Sequence, residues 1–227
     1  PGSQRASDSA QTARPYSQAR VRRLDAEALR DSILAVSGTL NLKPGGPPLP
    51  IREDAFGQIV VGIDRKEGDS KQPVDVAMGT EEFRRSVYIQ VRRSKPVALL
   101  STFDAPVMEV NCDRRASSTV APQALMLMNS GFILQQAGAF AARLERESPG
   151  DRRNQIIRAF QLAFNRPPTA REMLEITDFV QRQSQAAPPA GEKKGEPNPL
   201  QPSGPDARGL TSLCQVLLSA NEFLYVD

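Results

Sequence analysis

The sequence predicts a mainly α fold: a helical domain with a small β-hairpin or ribbon and long Pro/Gly-rich loops. Three observations predict it. Helical apolar spacing recurs from residue 24 to 36 and through most of the chain after residue 119, β-branched runs are confined to two short stretches, and glycine and proline concentrate in two segments. Over the whole chain they make only about 15% of 227 residues, well below the level of an unstructured low-complexity sequence.

Residues 1–20 mix Ser, Gln, Ala and Arg without an apolar period and read as a poorly ordered lead-in. Its opening, Pro1-Gly2-Ser3 without methionine, looks like the remnant of a cleaved expression tag, so the natural chain is expected to be longer. A single mainly helical domain then covers residues 21–227. Asp25 is placed to cap the first helix, with Leu24 and Leu29 as a hydrophobic staple, Ile33 and Val36 continuing the apolar face, and Gly38 as the stop. Asn41 to Pro50 holds four prolines and two glycines and must be a rigid loop. The run Ile59-Val60-Val61-Gly62-Ile63 and the alternation of Val87, Ile89 and Val91 predict two strands of a small hairpin or ribbon, with a charged surface stretch from Asp64 to Thr80 between them.

Beyond Thr119, Leu125, Met128, Phe132, Phe140 and Leu144 form a helical stripe, bent or split at Asn129-Ser130-Gly131. Ile156, Phe160 and Ala163 predict a helix ended by Arg166-Pro167-Pro168; Thr169 and Glu172 form a capping box that opens another, with Met173, Ile176 and Val180 inward. The two read as a helical hairpin. Residues 186–208, with six prolines and three glycines, are expected to be a flexible loop. Leu210, Leu213, Cys214, Leu217 and Leu224 then form a closing stripe that returns to the earlier helices.

Composition excludes much chemistry. With no histidine there is no Ser-His-Asp or Cys-His machinery, no Cys-x-x-Cys-His haem attachment and no His-ligated zinc, and Cys112 and Cys214 are too few for a structural zinc site. No catalytic residue, metal site or cofactor is assigned. No apolar run approaches the roughly 18 residues of a membrane span, so this segment is not expected to insert in a membrane. The cysteines either pair or stay as buried thiols; Cys214 lies on an apolar stripe and Cys112 in a polar turn beside Asp113.

Charge is the sharper signal. The segment from Arg84 to Arg115 carries a net +4, whereas the rest of the chain carries −1. Its arginine forks suit carboxylate, phosphate or sulfate groups, which makes it a candidate anion or partner surface; intramolecular ion pairs on a solvated face are the favoured reading. Asp104, in an apolar turn, requires a donor, for which Arg114 or Arg115 is nearest in sequence. Adjacent acids at Glu53-Asp54 and Glu81-Glu82 do not have the separation a glycosidase needs. Nucleic acid is not expected as a partner, since only Phe83, Tyr88 and Phe103 lie near the basic cluster and the overall charge is only +3.

Five stretches carry a resemblance: Arg23 to Asp31; Arg84 to Tyr88; Phe103-Asp104-Ala105-Pro106; Cys112 through Arg115, Ser118, Thr119, Pro122, Gln123 and Leu125 to Asn129; and the ending Asn221 to Asp227. Together they resemble the C-terminal domain of unknown function in large exported planctomycete proteins that often also carry cytochrome c domains. The resemblance implies a periplasmic or cell-envelope setting, a parent chain with further domains upstream, and a preceding histidine-containing segment of the family domain; it implies no known activity. The expected function is a non-catalytic interaction or scaffold module whose partners are the other domains of the parent protein. The candidate surface is Arg84, Arg85, Asp104, Asn111, Arg114, Arg115 and Gln123, with Cys112 and Cys214 as a possible disulfide. The alternative is an enzyme or polyanion-binding module acting on sulfated or acidic polysaccharide.

Overall fold

A computed structural model describes residues 21–65, 74–106, 118, 121–186 and 205–226. The expected mainly helical class holds, with three two-stranded antiparallel ribbons among the described residues. The 1–20 lead-in and residues 187–204 of the expected loop lie outside these residues.

The chain enters through β1 (Arg22–Arg23) and α1 (Ala26–Ser37). Asp25 occupies the N-cap position without a side-chain cap bond, correcting the predicted cap, while Leu29, Ile33 and Leu34 are buried on one face and Gly38 ends the helix at φ 78°. The Pro/Gly loop follows, then β2 (Ile51–Glu53) and β3 (Ile59–Val61), paired with Ile51 opposite Val61. This corrects the expected pairing of the Ile59 run with residues 86–91. The tight turn decides it: the Asp54 carboxylate accepts from the amides of Phe56 and Gln58, so the local partner is already in register.

β4 (Ile63–Arg65) and β5 (Val74–Val76) form a second ribbon, most of it within the stretch from Asp64 to Thr80 expected to be a charged surface segment. Residues 86–88 are a 3₁₀ turn rather than a strand, and of the three alternating residues only Ile89 is buried; Val87 and Val91 are 70% and 63% exposed.

The short α2 (Ala98–Thr102) leads to α3 (Ala121–Asn129) and α4 (Gly131–Glu147), split where Asn129-Ser130-Gly131 predicted. The stripe assignment was partly wrong: Leu127 faces the core, while Leu125 and Met128 are more than half exposed. Then come α5 (Arg152–Phe164), closed by Asn165 in the left-handed region, and α6 (Ala170–Gln185), opened by the Thr169/Glu172 capping box. α7 (Pro205–Leu218) begins inside the span read as a flexible loop, so residues 205–208 are helical; a proline is tolerated in a first turn because its missing N–H would have no partner there. α8 (Asn221–Leu224) and β6 (Tyr225–Val226) end the description.

One core is shared by α1, α3, α4, α5 and α7, with Phe140, Leu144, Ile156, Leu213 and Leu217 inside it. α7 packs on both α4 and α6, so α6 leans on the closing helix more than on its hairpin neighbour α5. β6 pairs antiparallel with β1, Arg23 opposite Tyr225, which ties the two ends of the described chain together.

Candidate functional site

Four of the five stretches that carry the family resemblance meet at one corner of the core, and Asp104 is its hub. α2 ends in a left-handed cap: Ala105 donates its amide to the Leu100 carbonyl at 2.9 Å and Asp104 donates its own to Ser101 at 3.2 Å, with Asp104 at φ 60°. Glycine is the usual residue at that position; an aspartate tolerates it and adds a carboxylate. That carboxylate accepts from Arg23 Nη2 at 2.8 Å, from the Ser118 amide at 2.7 Å and from the Ser118 hydroxyl at 2.9 Å. Arg23 also donates to the carbonyls of Phe103 and Ser118 and lies over the Phe103 ring, while Gln123 Nε2 donates to the carbonyls of Thr102 and Ser118 at 3.0 and 3.1 Å.

The Arg23 and Asp104 side chains are only 6% and 18% exposed. Burial works against charge on Asp104, but the Ser118 amide and hydroxyl and the Arg23 guanidinium outweigh it and hold the carboxyl below its usual range. A carboxylate with its lone pairs filled by fixed donors is a poor general acid or base, so the corner acts as a clamp. Its partner is Arg23, 81 positions earlier, where the sequence pointed to Arg114 or Arg115. The only sequence signal for Arg23 was its place at the head of the first resembling stretch.

Arg84 is likewise internal. It is 1% exposed, donates to the carbonyls of Gly45 and Pro47, and lies 4.3 Å from the centre of the Tyr88 ring, whose hydroxyl accepts from Gly45 N. It fastens the Pro/Gly loop and cannot present its charge to a ligand. Arg30, buried beneath it, donates to the carbonyls of Glu82 and Arg84, and loss of water pulls its guanidinium down to about 10. Arg85 is exposed and donates to Asp31 at 3.2 Å; Asp31 also accepts the amide and hydroxyl of Ser86. Cys214 is fully buried on α7, and burial pushes its thiol up. Asn111, Cys112, Arg114 and Arg115 lie outside the described residues.

A surface with room for a ligand lies beside this corner. A groove of about 680 Å³ runs between the outer face of α1 and residues 85–97, and Ala105 and Pro106 close one end. Val97 and Leu100 contribute apolar floor, and the exposed Val87 and Val91 stand in its wall. Four cations line it: Arg85 pairs with Asp31 and Lys95 with Glu53, while Arg92 and Arg93 make no ion pair among the described residues. Sequence reasoning included Arg92 and Arg93 only as part of the basic segment from Arg84 to Arg115 and did not single them out, and it placed Val87 and Val91 with Ile89 on one face of a strand.

Among the described residues no group of three or more Cys, Asp or Glu is gathered as a metal site, and no helix is long and apolar enough to cross a membrane. Fold and site together define a small helical domain stapled by internal arginines, with a groove that mixes apolar and charged residues. The chain belongs to the PSD1 family, described as a protein of unknown function (DUF1553), whose family model matches residues 2–180. α7, α8 and β6, which complete the core, follow the matched span. No curated protein and no solved structure matches the chain.

Proposed function

We propose that this domain is a non-catalytic interaction or scaffold module of a large exported, cell-envelope protein, and that its partners are other domains of that parent. The observation that carries the reading is the contrast between its two polar regions. The groups best suited to chemistry, Asp104 and the arginines at positions 23, 30 and 84, are held by fixed internal partners, whereas the groove presents two exposed valines and two arginines that make no ion pair among the described residues. Exposed apolar residues ringed by unpaired charge mark recognition surfaces.

The test is to express this domain and the remainder of its natural chain as separate polypeptides and to measure their association by calorimetry. Saturable binding supports the module; no association, together with turnover of a polysaccharide that Asp104→Asn abolishes, would replace it with the enzyme reading. Arg92 and Arg93, without an ion pair among the described residues, favour one second reading, a binder of sulfated glycan. It would show as a rise in melting temperature with dextran sulfate that fades steeply with salt.

A further inference from the structure

We propose that the groove binds an extended segment of another polypeptide, one that alternates apolar and acidic residues and pairs its backbone with residues 89–91. This rests on the interaction-module reading and names the chemistry of the partner. Three features select that occupant over others.

The first is an open backbone edge. Leu49 pairs with the segment through its amide, donated to the Tyr88 carbonyl at 2.7 Å, and through its carbonyl, which accepts the Gln90 amide at 2.9 Å. In extended backbone the groups alternate in direction, so the Ile89 carbonyl and the Val91 amide face away from Leu49. No described residue supplies a backbone partner for either. An added strand would satisfy both, the mode by which sheet edges capture peptides.

The second feature is charge. Of the three acids that line the groove, Asp25 and Glu27 stand at the N-terminal end of α1 and Asp31 is engaged by Ser86 and Arg85; Lys95 is engaged by Glu53, and among the described residues Arg92 and Arg93, directly after the open edge, make no ion pair. Carboxylates on the incoming segment complement them; lysines do not. The third is the pair of exposed valines. Val87 and Val91 need apolar side chains to remove them from water, which a polypeptide supplies and a sulfated glycan does not.

A fluorescein-labelled peptide of roughly ten residues alternating valine and glutamate is long enough to cross the groove in extended form. Its binding to the whole chain would be followed by fluorescence anisotropy beside three relatives: serine in place of valine, lysine in place of glutamate, and N-methylation of alternate amides. Dextran sulfate serves as the glycan probe. The proposal expects binding of the parent peptide alone, weakened about tenfold by R92E/R93E, the size of a few rim charge contacts, and lost with V87D/V91D. All four side chains are solvent-exposed, so both variants should keep the wild-type melting temperature, which is measured in parallel.

Equal binding of the serine peptide or of dextran sulfate would overturn the proposal in favour of a general polyanion surface, and unimpaired binding of the N-methylated peptide would remove the edge pairing. Binding of none of the peptides would also overturn it. Failure here is distinguishable from failure of the module reading: if the separated parent segment still associates with R92E/R93E and V87D/V91D, the module stands and its docking face lies elsewhere.

Discussion

Replacing Asp104 by alanine separates a clamp from a catalytic site. The substitution leaves the Ser118 amide, which lies 2.7 Å from the carboxylate, without its acceptor and the Arg23 guanidinium, 6% exposed, without its counter-ion. A buried donor stranded in this way costs about 1–3 kcal/mol, removal of one partner from a buried pair about 3–5 kcal/mol, and the two overlap. Arg23 keeps the carbonyls of Phe103 and Ser118, which limits the loss. Asp104→Ala should therefore destabilise the domain by about 3–5 kcal/mol at pH 7, and Asp104→Asn, which retains one acceptor and tolerates φ 60°, by about 1–3 kcal/mol. Urea unfolding with an unchanged slope measures both. Because the folded carboxyl lies below its unfolded value, its contribution is complete above the ordinary aspartate range and disappears as the pH falls through the folded pKa. The gap between wild type and Asp104→Asn must therefore narrow in acid. A cost below 1 kcal/mol for the alanine variant, or a gap independent of pH, would refute the clamp.

Two further predictions concern packing and capping. A Cβ at Gly209 would lie 2.3 Å from Ser184 Oγ and 2.5 Å from the Val180 carbonyl, so Gly209→Ala should destabilise by about 1–3 kcal/mol through overpacking of α6 on α7, whereas the same change in a free helix stabilises by about 1 kcal/mol; a raised melting temperature would contradict the close approach. Glu172 is held down at about 2 by the Arg166 fork and the Thr169 amide. Glu172→Gln should cost about 1 kcal/mol at neutral pH, a modest figure because the side chain is 32% exposed, and the cost should fade between the ordinary glutamate value and pH 2, as read from urea midpoints across that range.

Helix termini were legible because their signals are local. Gly38, the Asn129-Ser130-Gly131 break, Arg166-Pro167-Pro168 and the Thr169/Glu172 box each act within a turn, and each marks a real boundary. The closing stripe was legible as well, since Leu210, Leu213, Cys214 and Leu217 are all buried. Strand pairing was not, because alternation gives a strand its faces but not its partner: Val87, Ile89 and Val91 alternate as a strand would, yet the Asp54 turn had already paired the Ile59 run with Ile51. Nor was the Arg23 to Asp104 contact, which no local rule connects across 81 positions.

Arginine's preponderance over lysine has a structural cause that narrows the search for function. Long loops and helix ends leave backbone carbonyls with no ladder partner, and a guanidinium with several coplanar donors can satisfy two of them at once, which a compact ammonium cannot do with the same fixed geometry. Arg143 donates to the carbonyls of Ala35 and Val36 at the end of α1, Arg84 to those of Gly45 and Pro47, Arg30 to those of Glu82 and Arg84, and Arg23 to those of Phe103 and Ser118. These arginines are part of the fold, and their positive charge reports nothing about a ligand. Arg92 and Arg93 satisfy no carbonyl and pair with no acid among the described residues. They stand beside the backbone edge of residues 89–91 and two exposed valines, and the proposed docking rests on that conjunction rather than on the chain's net charge.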